Sequence, residues 1–285
     1  MNKFGVLANY KRADRTVEKE IISWLKAEGA EVVFPDADYD VVDQVFLHDF
    51  LEHEGGSCDC LIVLGGDGTL LSVARQAANF SIPIFGVNMG HVGFLAEVEP
   101  DDLLYPALRR LLTDDFVLEQ RMMLKVKVFR SGELLEEYHC LNDCILTKKT
   151  FDGLVHIDAY VDDKPSLSYN GDGLIVATPT GASGYCLSAG GPLVSPEMEA
   201  MILTPVSAHN LYSRTIVIGA NREIMLKAFK EEGSCILYMD GKTSVLELTA
   251  EDRIRISRSD LTTCFIRMND KSYFHILNEK LRERS

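Results

Sequence analysis

Apolar positions in the first third of the chain alternate between short runs and helical stripes. Residues 4–8 form a short apolar run. Val17, Ile21, Trp24 and Leu25 then recur on one helical face, and Gly29 suits the helix end. Residues 31–34 are short and rich in valine. Residues 61–64 are wholly apolar, the pattern of a strand covered on both faces. Residues 69–78 read as the next helix and 82–87 as another strand. Leu103, Leu104, Ala107, Leu108 and Leu111 give a further amphipathic helix. Strand and helix in alternation predict an α/β N-terminal domain with a doubly wound parallel sheet.

Near residue 115 the pattern changes. Residues 124–129 (LKVKVF) alternate, and Ser131-Gly132 stands where a hairpin turn belongs. Short strand candidates follow at 155–161, 174–177, 215–218, 224–229, 236–239, 245–248 and 254–256. Turn signals divide them at Asp163-Lys164-Pro165, Asn170-Gly171 and Asp240-Gly241. Helical patterns are scarce until 273–284. The expectation is an α/β domain over 1–115, to which 268–285 returns, and an all-β C-terminal domain over 116–267.

Composition leaves that picture unchanged. With 285 residues, 46% of them hydrophobic and 25% charged, the chain can bury a sizeable core. A formal net charge of −14 argues against a broad grip on nucleic acid or an anionic membrane. It still allows a small anion held by backbone N–H groups. The N-terminus lacks a signal-peptide apolar region, and no apolar run approaches the ~20 residues of a membrane span. The seven scattered cysteines lack the spacing of a zinc site and read as reduced, mostly buried thiols in a cytoplasmic protein.

Chemistry first shows at residues 61–72, LIVLGGDGTLLS, where a buried strand runs into glycines. Glycines let backbone approach a ligand closely, and a following helix N-terminus favours phosphate. Gly65, Gly66, Gly68 and Thr69 therefore suit phosphate cradling, with Thr69 as the expected N-cap. Asp67 does not suit it, because a carboxylate repels phosphate. It fits a base for a hydroxyl beside that phosphate, or a metal partner, and both jobs occur in phosphoryl transfer. A plain turn, with the aspartate accepting local N–H bonds, would also produce these residues.

Residues 171–192, GDGLIVATPTGASGYCLSAGGP, repeat Gly-Asp-Gly before a second apolar run. Small residues leave a shallow floor for a planar ring, and Tyr185 offers an aromatic face. Thr180, Ser183 and Ser188 offer hydroxyls. A glycine-rich turn with Tyr185 in the core is the bland alternative. Between the motifs, the amide of Asn142 suits an adenine edge and the carboxylate of Asp143 suits ribose hydroxyls, although such a pair is also common in turns. His91, His209 and Arg214 are candidates beside a site or in packing. Lys148-Lys149 and Arg109-Arg110 read as solvated surface, and Trp24 as core.

Taken in order, GGDGT (65–69), LND (141–143), residues 171–192, LTPVSAHNLYSRTIVIG (203–219) and MDGK (239–242) resemble the bacterial NAD kinases over nearly the whole chain. GGDGT is shared with lipid kinases and phosphofructokinases, whereas the 171–192 motif is specific. The resemblance implies ATP-dependent phosphorylation of NAD at the 2′-hydroxyl of its adenosine ribose, giving NADP. It also implies a cleft between two domains and a homo-oligomer, expected as a homodimer or homotetramer. The sequence shows no compact carboxylate cluster, so Mg²⁺ is expected to come in on ATP. Neither nucleic acid nor membrane is an expected partner.

By the same resemblance Asp67, with Gly68 beside it, lies near the reacting hydroxyl. Asn142 and Asp143 hold adenine and the second ribose, Asp172 faces the nicotinamide side, and Thr180 lies near adenine. Ser183, Gly184 and Tyr185 line the nucleoside, and Ser188 lies just beyond. No metal ligand is assigned. Ala182-Ser183-Gly184 replaces a commoner Ser-Thr-Ala, and Cys186 a commoner serine, which bears on the tightness of the pocket. Asn170 stands where some relatives carry a cation, and Lys242 where some carry Gln. These departures leave open NAD against NADH and ATP against polyphosphate. A lipid or sugar kinase sharing GGDGT, or a dinucleotide sensor without turnover, are the rival readings.

Overall fold

The computed structural model describes residues 1–9, 15–35, 39–90, 93–150, 153–209, 213–229, 235–241, 244–268 and 273–283. His91 and Lys242 lie outside the described residues. The chain forms two compact units, Met1–Gln120 with Thr263–Ser285, and Arg121–Thr262.

In the first unit the order is β1 (Lys3–Ala8), α1 (Arg15–Ala27), β2 (Glu31–Val33), α2 (Gln44–His53), β3 (Cys60–Gly65), α3 (Asp67–Phe80), β4 (Ile84–Asn88) and α4 (Leu104–Leu112). The strands pair in parallel in the order β2-β1-β3-β4. Every residue of β3 and of β4 is buried, as continuous apolar runs require when helices cover a parallel sheet. Ile21, Ile22 and Leu25 of α1 and Leu104, Ala107, Leu108 and Leu111 of α4 join Phe4, Val6, Ile62, Leu64 and Phe85 in one core. Each large side chain so buried contributes ~1.5–3 kcal/mol. Trp24 is half-buried against this core rather than within it.

The sequence pattern did not mark α2. It buries only Leu47, Phe50 and Leu51, and its clearest signal is Asp43, whose carboxylate accepts from the N–H groups of Val45 and Phe46.

The second unit is built from β5 (Val117–Arg130), β6 (Glu133–Cys140), β7 (Asp143–Lys148), β8 (Val155–Val161), β9 (Lys164–Gly171), β10 (Gly173–Ala177), a single turn α5 (Tyr185–Ser188), β11 (Ala200–Val206), β12 (Ile216–Gly219), β13 (Ile224–Phe229), β14 (Cys235–Met239), β15 (Ser244–Leu248) and β16 (Arg253–Arg267). The start of β5 and the end of β16 belong to the first unit, where Phe265 pairs in parallel with Ile84. The chain closes with α6 (Tyr273–Glu283).

Six strands pair antiparallel in the order β12-β11-β10-β7-β14-β15, and others in the order β16-β13-β8-β9. Between them Val155, Ile157, Leu174, Val176, Leu237, Ile254 and Ile256 form a common core. Fold class thus follows the alternation read from the sequence: α/β in the first unit, β-rich in the second.

Local differences have physical reasons. Ser131 and Gly132 both take positive φ, 52° and 90°, as a two-residue primed hairpin requires. The expected turn at Asp163-Lys164-Pro165 falls one residue earlier, with Asp162 and Asp163 at φ 52° and 60°. Pro165 is already in β9, opposite Tyr160 where the register shifts, on an edge strand that tolerates a missing N–H. Asn170-Gly171 is not a turn; both residues pair with β8. Gly171 serves close approach instead, since a Cβ there would stand 2.7 Å from the Val206 carbonyl oxygen. Strands β6, β7, β9 and β11 escaped the pattern: β6 and β9 open on exposed residues, and the buried runs of β7 and β11 show no alternation.

Candidate functional site

Two constellations stand out, one in each unit. In the first, β3 delivers the chain directly into α3. The helix begins at Asp67 with Gly66 as its N-cap, and no side chain caps it. Thr69, the expected cap, lies one turn inside: its hydroxyl accepts from Asn9 Nδ2 at 2.9 Å and it is 4% exposed. A Cβ on Gly65 would meet Thr69 Cβ at 2.7 Å, so these two residues pack on each other. A Cβ on Gly66 or Gly68 would meet no described atom within 4 Å. The open side of the loop is therefore at Gly66 and Gly68, at the helix start, where N–H groups have no partner within the helix.

Asp67 is held by the segment that follows β4. Phe94 N donates to its Oδ2 at 2.9 Å and Leu95 N to its Oδ1 at 3.1 Å. A Cβ on Gly93 would fall 2.2 Å from Oδ1, so only glycine admits the carboxylate this closely. The segment is itself tied down. Asn88 N donates to Val98 O at 2.7 Å, and Arg267 donates to Leu95 O at 3.0 Å while pairing with Glu97 and Glu119. Sequence reasoning placed this loop beside the site through His91 but missed Gly93, Phe94, Leu95 and Arg267. The one local signal was the glycine of GFL.

In the second unit, Asn142 and Asp143 enter β7 beside the turn that leaves β10. Thr178 links the two: its N–H donates to Asn142 O at 2.8 Å, and its hydroxyl donates to Leu141 O at 2.6 Å and accepts from Gly181 N at 3.1 Å. A Cβ on Gly181 would sit 2.1 Å from Asn142 O, and one on Gly184 3.9 Å from Asn142 Nδ2. These contacts draw Asn142, Asp143, Thr180, Ser183 and Gly184 together. The Thr180 hydroxyl accepts from Arg121 at 3.2 Å, and Ser183 Oγ donates to Thr180 O at 3.1 Å. Tyr185 is 46% exposed and Ser188 is exposed, so both offer surface rather than core.

The expected loosening of the pocket at residues 182 and 186 is not where the side chains lie. Ala182 and Cys186 are fully buried in a small core with Ile175 and Ile202, and the Cys186 thiol meets Thr204 Oγ1 at 3.1 Å.

Asp143 is 4% exposed. Burial, and then the neighbouring charge of Asp240, push its carboxyl up to about 7. Asp240 in turn accepts from the N–H groups of Leu141, Asn142 and Asp143 at 2.8, 2.7 and 3.1 Å.

Asp172 and Asn170 lie at the other end of β10 from Thr178. Lys148 pairs with Asp172 at 2.6 Å and holds its carboxyl below the usual range, with help from Ser207 and His209. Lys148 is thus a half-buried partner, with its side chain 14% exposed, not the solvated surface expected of it. Lys149 pairs with Glu247 at the surface. The Asn170 side-chain oxygen meets His156 Nδ1 at 2.7 Å, and its carbonyl accepts from His209 N at 2.8 Å. His209 and Arg214 are exposed. Among the described residues no group of three His, Cys, Asp or Glu side chains gathers as metal ligands. No helix there is long and apolar enough to cross a membrane.

The chain matches the ATP-NAD kinase N-terminal domain over residues 4–116 and the ATP-NAD kinase C-terminal domain over 141–268. It is 36% identical to a NAD kinase of Desulforamulus reducens, covering 99% of this chain and 98% of that protein. It is 38% identical to one of Caldanaerobacter subterraneus subsp. tengcongensis over the full length of both. Its fold is similar to that of a yeast NADH kinase complexed with NADH, with a TM-score of 0.84 at 22% identity over 100% of this chain and 89% of that one. A NAD kinase from Archaeoglobus fulgidus in complex with ATP gives a TM-score of 0.76 at 24% identity, with 98% of each chain covered. With both domains matched in chain order and relatives alike from end to end, the chain belongs to the NAD kinase family.

Proposed function

We propose that the protein is a NAD kinase that transfers the γ-phosphoryl group of ATP to the 2′-hydroxyl of the adenosine ribose of NAD, giving NADP. The observation that carries this reading is the Asp67 carboxylate, aimed by the N–H groups of Phe94 and Leu95 beside an open glycine loop at a helix N-terminus. An anion-seeking backbone next to a fixed carboxylate is what phosphoryl transfer to a hydroxyl needs: one part takes phosphate, the other takes the hydroxyl proton.

In the step so assigned, the ribose oxygen bonds to the γ-phosphorus. The bond to the bridging oxygen breaks, ADP leaves with that electron pair, and the hydroxyl proton passes to Asp67. N–H groups at Gly66 and Gly68 face the phosphates. Asn142 takes the adenine edge, Asp143 the ribose hydroxyls, and Tyr185 with Ser183 and Gly184 lines the nucleoside. Asp172, steadied by Lys148, serves the nicotinamide side. Mg²⁺ is assigned to the triphosphate as it arrives, since this ion is commonly held by substrate phosphates with one or two carboxylates. We also assign the protein to the cytoplasm as a homodimer or homotetramer; its seven free thiols support a reducing compartment.

The test is incubation with NAD and Mg-ATP, with NADP read by an NADP-specific dehydrogenase. Asp67→Asn is expected to keep NAD binding and lose at least ~10² in kcat, within the range of a positioned base. Turnover close to wild type would remove Asp67 from the chemistry.

A further inference from the structure

The segment 141–143 is gripped from two sides. Thr178 takes the carbonyls of Leu141 and Asn142. On the other side is a single buried residue, Asp240, at the turn between β14 and β15. Its Oδ2 accepts from Leu141 N, and its Oδ1 accepts from Asn142 N and Asp143 N. Its own N–H donates to Asp143 O at 3.0 Å. Four main-chain bonds thus join one residue to three. The backbone of Asp240 sits at φ 46°, a conformation that aspartate and asparagine tolerate better than most residues.

We propose that Asp240 is a positioning residue for the dinucleotide, its carboxylate fixing where the Asn142 amide and the Asp143 carboxyl are presented. This rests on the reading above, in which those two side chains hold adenine and ribose. A glutamate would set the carboxylate one methylene too far. An asparagine would turn an N–H₂ group toward at least one of the three N–H donors.

The arrangement has a second consequence that a purely structural tie would not have. Among the described residues, the charged group bearing on Asp143 is Asp240; the nearby thiols of Cys144 and Cys186 are both pushed up and stay neutral. Asp143 takes ribose hydroxyls best as the carboxylate, so NAD affinity in the wild-type enzyme should strengthen as pH rises through about 7. Removing the Asp240 charge lets Asp143 ionise at lower pH and moves that limb acidward.

The experiment is NAD KM and kcat from pH 5.5 to 8.5 for wild type and Asp240→Asn, with circular dichroism and melting temperature alongside. The expected result is a tenfold or greater rise in NAD KM at pH 8.5, kcat at saturating NAD changed less than threefold, and the pH limb shifted acidward. A lowered melting temperature with unmoved KM and unmoved limb overturns the proposal. If Asp240→Asn does not fold, Asp240→Glu replaces it. A tenfold KM rise with the limb still near 7 then supports the proposal, and a wild-type KM overturns it. A wild-type protein that neither binds NAD nor makes NADP sinks the functional reading as well; turnover in wild type with an indifferent variant sinks this proposal alone.

Discussion

Gly93→Ala tests whether the direction of the Asp67 carboxylate matters. The added Cβ would lie 2.2 Å from Asp67 Oδ1 and 3.0 Å from its Cγ. A carbon and an oxygen in favourable contact stand about 3.3 Å apart. One of the two must therefore move by about 1 Å. Gly93 is not among the residues with positive φ, so alanine fits its backbone and the strain falls on the contact itself. The carboxylate has little room to yield without stretching its bonds from Phe94 N and Leu95 N, now 2.9 and 3.1 Å. A misplacement of this size at a reacting group costs about 10²-fold in rate, equivalent to about 2.7 kcal/mol of barrier. The assay is steady-state NADP formation, with NAD KM measured separately and circular dichroism to confirm the fold. The expected outcome is kcat lowered about a hundredfold, NAD KM changed less than threefold, and an unchanged spectrum. A folded Gly93→Ala enzyme with kcat within threefold of wild type would refute the claim that the 93–95 segment aims Asp67.

Two further outcomes concern stability. The folded pKa of Asp143, about 7, lies above its unfolded value of 3.8, so between those values the unfolded chain releases the proton first. Stability tied to the neutral acid is whole below pH 4 and is lost as pH rises to 7, a loss of about 4 kcal/mol from the size of that shift. Asp143→Asn cannot ionise and should remove this slope in urea unfolding between pH 4 and 8; parallel curves for the two proteins would contradict the assignment. Thr178→Val deletes a buried hydroxyl bonded at 2.6 and 3.1 Å and leaves Leu141 O and Gly181 N without it. A loss of about 2–4 kcal/mol is expected in the same measurement, and a loss under ~0.5 kcal/mol would show the hydroxyl to be dispensable.

Legibility in the sequence followed the distance between partners. The doubly wound half was readable because each helix carries its own apolar stripe, as Leu104, Ala107, Leu108 and Leu111 do. The strand–loop–helix at residues 60–69 was readable because a glycine loop after a buried run is a local signal. The approach of Asn142 to Gly181 and Gly184 was suggested only by residue type, and it took the fold to show why glycine stands there. What holds the candidate site stayed hidden. The donors to Asp67 lie 27 and 28 residues away, and Asp240 grips a segment 97 to 99 residues before it. An aspartate in a hairpin turn looks like any turn aspartate until its partners are known. The partners of Cys186 and Lys148 were missed for the same reason, since each is set by residues outside its own strand or turn.

The assignment of residues 263–285 to the first unit bears on how the protein is made. Phe265 supplies the strand that pairs with Ile84, yet all of Arg121–Thr262 must leave the ribosome before it appears. At about 5–20 residues per second the nascent N-terminal unit waits roughly 7–30 s with the flank of β4 uncovered. The β-rich unit waits almost as long, because Ile254 and Ile256 of the same β16 belong to its core, so one late strand completes both halves.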